Sequence, residues 1–568
     1  ALDLSVVDES SGAVLGIAFT GNQVPGTEKI RTIAHAPDGS YTALRCIWKD
    51  FDFLVETVAE GRDLAILVTP RTNATHPGHL RAKLQLQYGA VGEIEPGDRL
   101  QFGDLSFQGV PRAESEEDYL RFDFEAAFGI STRDEDLESI RGRIKEKEED
   151  YWQKKRSYGD LATAYDIVQN AVNWLVVYDP AKQRAVTPVA RPWSYGWGNR
   201  QEGGYVQFCW DNFFVAYMHA IESPELAYNE VLELTRYIKA LGFVPNYAGP
   251  GDVFSEDRSQ PPVGTLMVKE IYKKYPNRWF LEACFDDLLC WHRWWADNRD
   301  IDGYLAWGST PFSPMTDRRH STQNNHQAAA YESGLDNSPM FDGVPYDSIR
   351  YVMLQADVGL MGLYVADADA LAEIADVLGR SDEAAEIRQR ADRYREKLRT
   401  LWNEEVGLFL NKRMDTGEWN YSISPTNFYA LIGRAATQLQ AERMIQEHFY
   451  NPEEFWGDFI MPSISRSDPG YLGRDYWRGS IWAPMNFLVY LGLRNYDLPQ
   501  ARKDLADKSL KLLVKNWNEG GNVLENYNTE TGGYPGRSNL FYHWGALLGM
   551  INLMEAGHMA PTEAPLVN

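Results

Sequence analysis

The sequence predicts a mainly α-helical fold, six helical hairpins closed into a ring, fronted by an all-β domain. Three observations predict it. Short apolar and alternating runs fill the first 130 residues. Amphipathic helical patterns dominate from Asp160 onward. Long loops rich in Gly, Pro and aromatic residues separate the helices.

In chain order, the runs Ala13–Ala18, Tyr41–Trp48, Leu64–Val68 and Leu84–Tyr88 read as strands, with Pro37–Gly39 and Glu95–Asp98 among the turns between them. Lys83–Tyr88 alternates and should keep one face wet. Residues 1–130 are therefore expected to form a β-sandwich. Arg133–Arg156 is charged throughout and reads as a solvated helix within a linker, residues 131–159. Residues 160–568 form the helical domain. Its patterns are Leu161–Tyr178, Glu225–Leu241, Trp279–Asn298, Ser348–Asp367, Ala370–Leu378, Asp382–Trp402, Thr426–Ile432, Leu439–His448, Ile481–Leu493, Gln500–Asn516 and Leu540–Ala556. A solenoid would show a repeat of fixed length, and these hairpins vary. The long loops are Arg191–Trp210, Pro245–Gly264, Asp302–Pro345, Phe455–Ile481 and Glu519–Asn539.

Composition narrows the function. Lys and Arg number 56 against 81 Asp and Glu, a net charge of −25, which argues against nucleic acid and anionic membranes as partners. No 18 consecutive residues are apolar, so no membrane-crossing helix is expected. Cys46, Cys209, Cys284 and Cys290 form no CxxC pair, so free thiols are expected, with a cytoplasmic setting favoured over a processed secreted form. Aromatic residues make up 13% of the chain, which suits either a large core or a site where rings stack on the C–H faces of sugars.

The loops hold five clusters of acid, Arg and ring. Glu332 and Asp336 share Glu332–Pro339, where Asp336 is also well placed to form a turn or cap. Asp211 lies between rings in Trp210–Phe214, with Phe214 at its end. Arg258 and Gln260 precede a Pro pair. Trp477 and Arg478 lie in Tyr476–Trp482, and His543 and Trp544 follow Tyr542. Trp307 lies in the Asp302–Pro345 loop, while Glu525 and Tyr534 lie between Glu519 and Asn539. Each cluster alone could be packing. Together they favour a shared cleft, because carboxylates and guanidinium groups take hydroxyls while rings take the sugar face.

The order and spacing of ESGLDNSP, WDNFF, RSQPP and YWRGSIW resemble glycoside hydrolase family 63, and more distantly the family 37 trehalases. The resemblance covers Asp160 to the C-terminus. It implies an (α/α)6 barrel, an inverting mechanism, Asp336 as general acid and Glu525 as general base. Trp210, Asp211, Phe214, Arg258, Gln260, Trp307, Glu332, Trp477, Arg478, Tyr534, His543 and Trp544 follow as substrate-binding candidates. Trehalases carry Trp and Phe where this chain has Leu335 and Asn337, which turns the expectation away from trehalose. The expected activity is an exo-acting α-glycosidase, foremost an α-glucosidase. The alternatives are a mannosylglycerate or glucosylglycerate hydrolase and an inactive carbohydrate-binding protein. No cofactor is expected for catalysis. A structural calcium is one expectation, because Asn298, Asp300 and Asp302 precede Gly303 with the spacing of a calcium loop's start. Oligomeric state is not legible.

Overall fold

The computed structural model describes residues 2–15, 28–72, 77–85, 92–95, 99–116, 118–189, 191, 193–194, 204–251, 253–312, 322–560 and 566. The ends of two expected strands, 16–18 and 86–88, lie outside the described residues.

Twelve strands come first: β1 (Leu2–Asp8), β2 (Ala13–Leu15), β3 (Glu28–His35), β4 (Tyr41–Trp48), β5 (Phe51–Glu60), β6 (Asp63–Pro70), β7 (Gly78–Leu84), β8 (Leu100–Phe102), β9 (Leu105–Val110), β10 (Glu114–Glu116), β11 (Tyr119–Asp123) and β12 (Phe128–Ser131). They form two sheets, ordered β10-β11-β7-β1-β2 and β3-β4-β5-β6-β12-β9-β8, with antiparallel neighbours. Alternation decides which residues meet. Phe51, Phe53 and Val55 of β5 join Val6 of β1, Leu80 of β7 and Phe122 of β11 in one apolar cluster shared by both sheets. The other face of the larger sheet presents Ala43, Val58, Ala65 and Leu67 to helix α1 (Leu137–Arg156), which buries Ile140, Ile144 and Tyr151 there.

That contact corrects the reading of α1 as solvated all round. Most of its charges face water, but one stripe is clamped to the sheet. Its far end meets α2 (Ala162–Asn173), where Tyr151 Oη and Lys155 Nζ both donate to Asp166. The sheets also touch the helical region through Asn173 Nδ2 to the His35 carbonyl (3.2 Å) and Arg31 Nη2 to the Asn518 carbonyl (2.8 Å).

The rest of the chain is mainly helical: α3 (Cys209–His219), α4 (Pro224–Thr235), α5 (Ile238–Leu241), α6 (Gly264–Lys274), α7 (Arg278–Arg299), α8 (His326–Ser333), α9 (Val358–Leu378), α10 (Ser381–Arg399), α11 (Gln438–Met444), α12 (Ala483–Leu493), α13 (Pro499–Gly520) and α14 (Leu547–Glu555). Helix α10 buries Ala384, Ile387, Ala391, Tyr394 and Leu398, the 3- and 4-residue spacing of one helical face. The helices share one large core. The small strand pairs among them are antiparallel, and no parallel sheet occurs among the described residues.

Three expectations need correction. Helices α3, α6 and α8 were not expected. Every residue of α3 is buried, so it has no polar face to give a period. The pattern from Ser348 does not start a helix there. Residues 348–357 form turns and short strands, and α9 begins only where the Asp357 side chain caps the Leu360 amide at 2.8 Å. Thr426–Ile432 is a 3₁₀ turn, Pro425–Ala430.

Candidate active site

A cavity of about 500 Å³ opens among these loops, within the range of small-molecule sites. Its lining includes Trp210 and Asp211 at the start of α3, Arg258 and Gln260 before α6, and Asp336 just after α8. Trp477, Glu525, Tyr534 and Trp544 complete the expected set found there.

Local geometry explains how these side chains converge. Gly334 ends α8 at φ 72°, and a Cβ there would lie 2.8 Å from the Trp210 ring, so only glycine fits between Trp210 and the Asp336 loop. The Trp477 amide donates to Asn337 Oδ1 at 3.0 Å, tying that loop to the Tyr476–Trp482 segment. Trp477 stacks on Trp482 at 3.5 Å, and the Trp544 indole donates to the Glu525 carbonyl at 2.8 Å. Tyr476 is held at φ 61°, uncommon for a non-glycine residue and of the kind that collects at functional sites.

Three carboxyl groups line the cavity in unlike surroundings. Glu525 is met by donors alone: Arg191 Nη2 (2.7 Å) and Tyr476 Oη (2.8 Å) on Oε1, and the Asn539 backbone amide (3.0 Å) and Nδ2 (2.8 Å) on Oε2. That is the partner set of a carboxylate anion. Asp336 has no described donor on its carboxyl. Burial pushes it up to about 7, with Arg191 opposing and Glu525 reinforcing. Burial likewise pushes Asp211 up to about 7, against a 2.7 Å hydrogen bond from Tyr542 Oη. The cavity thus brings together a carboxyl with no described donor, Asp336, and one met by four donors, Glu525.

Five expected binding residues are elsewhere. Phe214 is fully buried one layer below, against Trp210 and Phe487. Trp307 packs edge-on to Trp295 beside a separate small void near Asp357. Glu332 is a buried strut, bound by Arg299 through two contacts of 2.7 and 2.8 Å and by the Gly308 and Ser259 amides. Arg478 pairs with Asp342 at 2.6 Å, away from the cavity. His543 is buried, and desolvation pushes it down to about 3, so it stays neutral. The suggested calcium ligands also serve other ends. Asp300 accepts from the Gly303 amide (2.9 Å) and Tyr394 Oη (2.7 Å), and the Asn298 amide donates to the Trp294 carbonyl. Asp302 takes the left-handed turn position, φ 53°. Among the described residues no three His, Cys, Asp or Glu gather to hold a metal ion.

Sequence reasoning passed over Arg191, Tyr476, Asn539 and Tyr542, the donors that fix the acids. Tyr476 and Tyr542 lay inside clusters already singled out, and Arg191 opens a loop marked as functional.

Residues 204–544, more than half of the chain, match the family model described as the mannosylglycerate hydrolase MGH1-like glycoside hydrolase domain. The mannosylglycerate hydrolase of Thermus thermophilus is 25% identical over 403 residues, covering 61% of this chain and 93% of the relative. The mannosyl-oligosaccharide glucosidase of Arabidopsis thaliana is 22% identical over 329 residues, covering 48% and 36%. A bacterial glucoamylase solved with acarbose superposes with a TM-score of 0.53 at 10% identity over 98% of this chain and 88% of its own, a likeness of fold alone.

Proposed function

We propose an activity from one premise: this chain belongs to the mannosylglycerate hydrolase MGH1-like glycoside hydrolase family. It acts as an exo-acting, inverting α-glycosidase, foremost an α-glucosidase. Residues 160–568 make an (α/α)6 barrel carrying the site, residues 131–159 a linker and residues 1–130 a β-sandwich beside it. Asp336 is the general acid and Glu525 the general base.

One observation carries this reading: two acids with opposed surroundings line one cavity. Asp336, raised to about 7, keeps a proton for the leaving oxygen. Glu525, ringed by donors, takes a proton from the water that attacks the opposite face. Trp210, Trp477 and Trp544 offer rings to the sugar, and Asp211, Arg258 and Gln260 offer polar groups to its hydroxyls.

The second reading, a mannosylglycerate or glucosylglycerate hydrolase, draws on the name of the family and of its Thermus relative. The test is proton NMR of early hydrolysis of an α-glucoside. A β-anomer as the first product supports inversion, and an α-anomer would sink it. A panel of kojibiose, nigerose, maltose, trehalose, glucosylglycerate and mannosylglycerate separates the substrates. Sugar release from none of them, nor from an aryl α-glucoside, would leave the inactive binding protein.

A further inference from the structure

We propose that Trp193 and Tyr534 form an aromatic platform at the cavity mouth for the leaving group, and that this group is a neutral pyranose, not a small carboxylic acid. The proposal rests on the glycosidase reading above.

The cavity has a closed end and an open one. Trp210, Trp477 and Trp544 close it and are 2%, 1% and 3% exposed. A terminal sugar held there between Asp336 and Glu525 must direct the rest of the substrate outward. At the mouth the lining rings change character: Trp193 is 45% and Tyr534 43% exposed. Two large rings left half in water beside a reaction site gain apolar contact when a ligand covers them, and the C–H face of a pyranose suits them. Both are held in place. Trp193 packs edge-on to Phe208, itself a lining residue, at 6.3 Å between centroids. Tyr534 follows a turn whose Gly532, φ 65°, sits against Phe459 so closely that a Cβ would lie 2.5 Å from that ring.

Charge points the same way. Each described guanidinium lining the cavity already faces a carboxylate: Arg191 faces Glu525 at 2.7 Å, Arg258 faces Asp257 at 2.7 Å and Arg537 faces Asp475 at 3.6 Å. An anionic leaving group would compete with these partners. A neutral leaving group leaves these pairs as they are.

The experiment compares wild type, Trp193→Ala, Trp193→Phe and Tyr534→Ala on α-glucosyl fluoride, kojibiose, maltose, glucosylglycerate and mannosylglycerate. Fluoride offers the platform nothing to hold. Wild type should prefer a disaccharide to either glycosylglycerate. In each alanine variant the ratio of disaccharide to fluoride kcat/KM should fall about tenfold, mostly through KM, and Trp193→Phe should restore most of it. An unchanged ratio, or a wild type that prefers a glycosylglycerate to every disaccharide, overturns the proposal while fluoride turnover keeps the glycosidase reading. A wild type inert even on fluoride overturns that reading, and the platform with it.

Discussion

Two buried Arg–Glu pairs stand near each other in kind but not in use. In the wall, Arg299 grips Glu332 through both fork contacts, and both side chains are fully buried. In the cavity, Arg191 reaches Glu525 through a single nitrogen, Nη2, and keeps 16% of its side chain exposed. Each carboxylate has four donors. Burial and pairing therefore do not separate a carboxylate that lines the cavity from a strut in its wall. Glu525 differs in lining a space where water and substrate fit. The fork at Glu332 spends both faces of the guanidinium on rigidity, whereas the single contact at Glu525 leaves room for other partners.

The sharpest break of this comparison is the same substitution at both acids. Glu525→Gln should lower kcat/KM on every substrate by about 10⁴-fold, the upper end of general-base assistance, with circular dichroism showing an intact fold. Glu332→Gln turns an amide N–H toward groups that are all donors and leaves Arg299 uncompensated. It should cost about 3–5 kcal/mol of stability in urea unfolding. If Glu332→Gln folds normally and loses activity like Glu525→Gln, the wall pair is no strut.

A second expectation separates acid from base. Asp336→Asn should lose about 10²–10⁴-fold on a disaccharide and far less on a glucosyl fluoride, whose leaving group needs little proton donation. In wild type the acid works protonated, so disaccharide kcat/KM should fall as pH rises through about 7, and the fluoride profile should lack that limb. Selective fluoride rescue at Glu525→Gln instead would reverse the two roles.

How far the sequence exposed this contrast follows from range. Trp210 with Asp211, Arg258 with Gln260 and Trp477 beside Tyr476 were legible because neighbours in sequence present their chemistry together. Asp336 and Glu525 needed the family resemblance, since 189 residues separate them. Glu332 was misread because its partner Arg299 lies 33 residues upstream, where nothing local announces a pairing. Phe214 shares a helix with Asp211 but turns into the core, and α3 is buried all round, so no period betrayed its direction. Helix α10 was readable because one face is buried and the other faces water. Helices α3 and α6 hid for the opposite reason, being largely core.

The smallest expected effect tests the cations themselves. Lysine keeps the charge but not the planar fork. At Arg191 it preserves an ion pair with Glu525 while losing the guanidinium's contact over the Tyr542 ring, 5.1 Å from its centroid, and a donor to Tyr476. Arg191→Lys should therefore lower kcat about tenfold, because the base is held less well, with little change in unfolding. The alkaline limb should stay near pH 7, since a cation still opposes the rise of Asp336; Arg191→Gln removes that opposition and should move the limb upward. At Arg299 the same lysine can make only one of the two fork bonds and abandons Thr310 Oγ1 and the Asn298 carbonyl. There the loss should appear in stability, about 1–3 kcal/mol, with kcat and the pH limb of the folded fraction unmoved. A pH limb that shifts in Arg299→Lys, or a stability loss in Arg191→Lys as large as in Arg299→Lys, would show that the two pairs share one role.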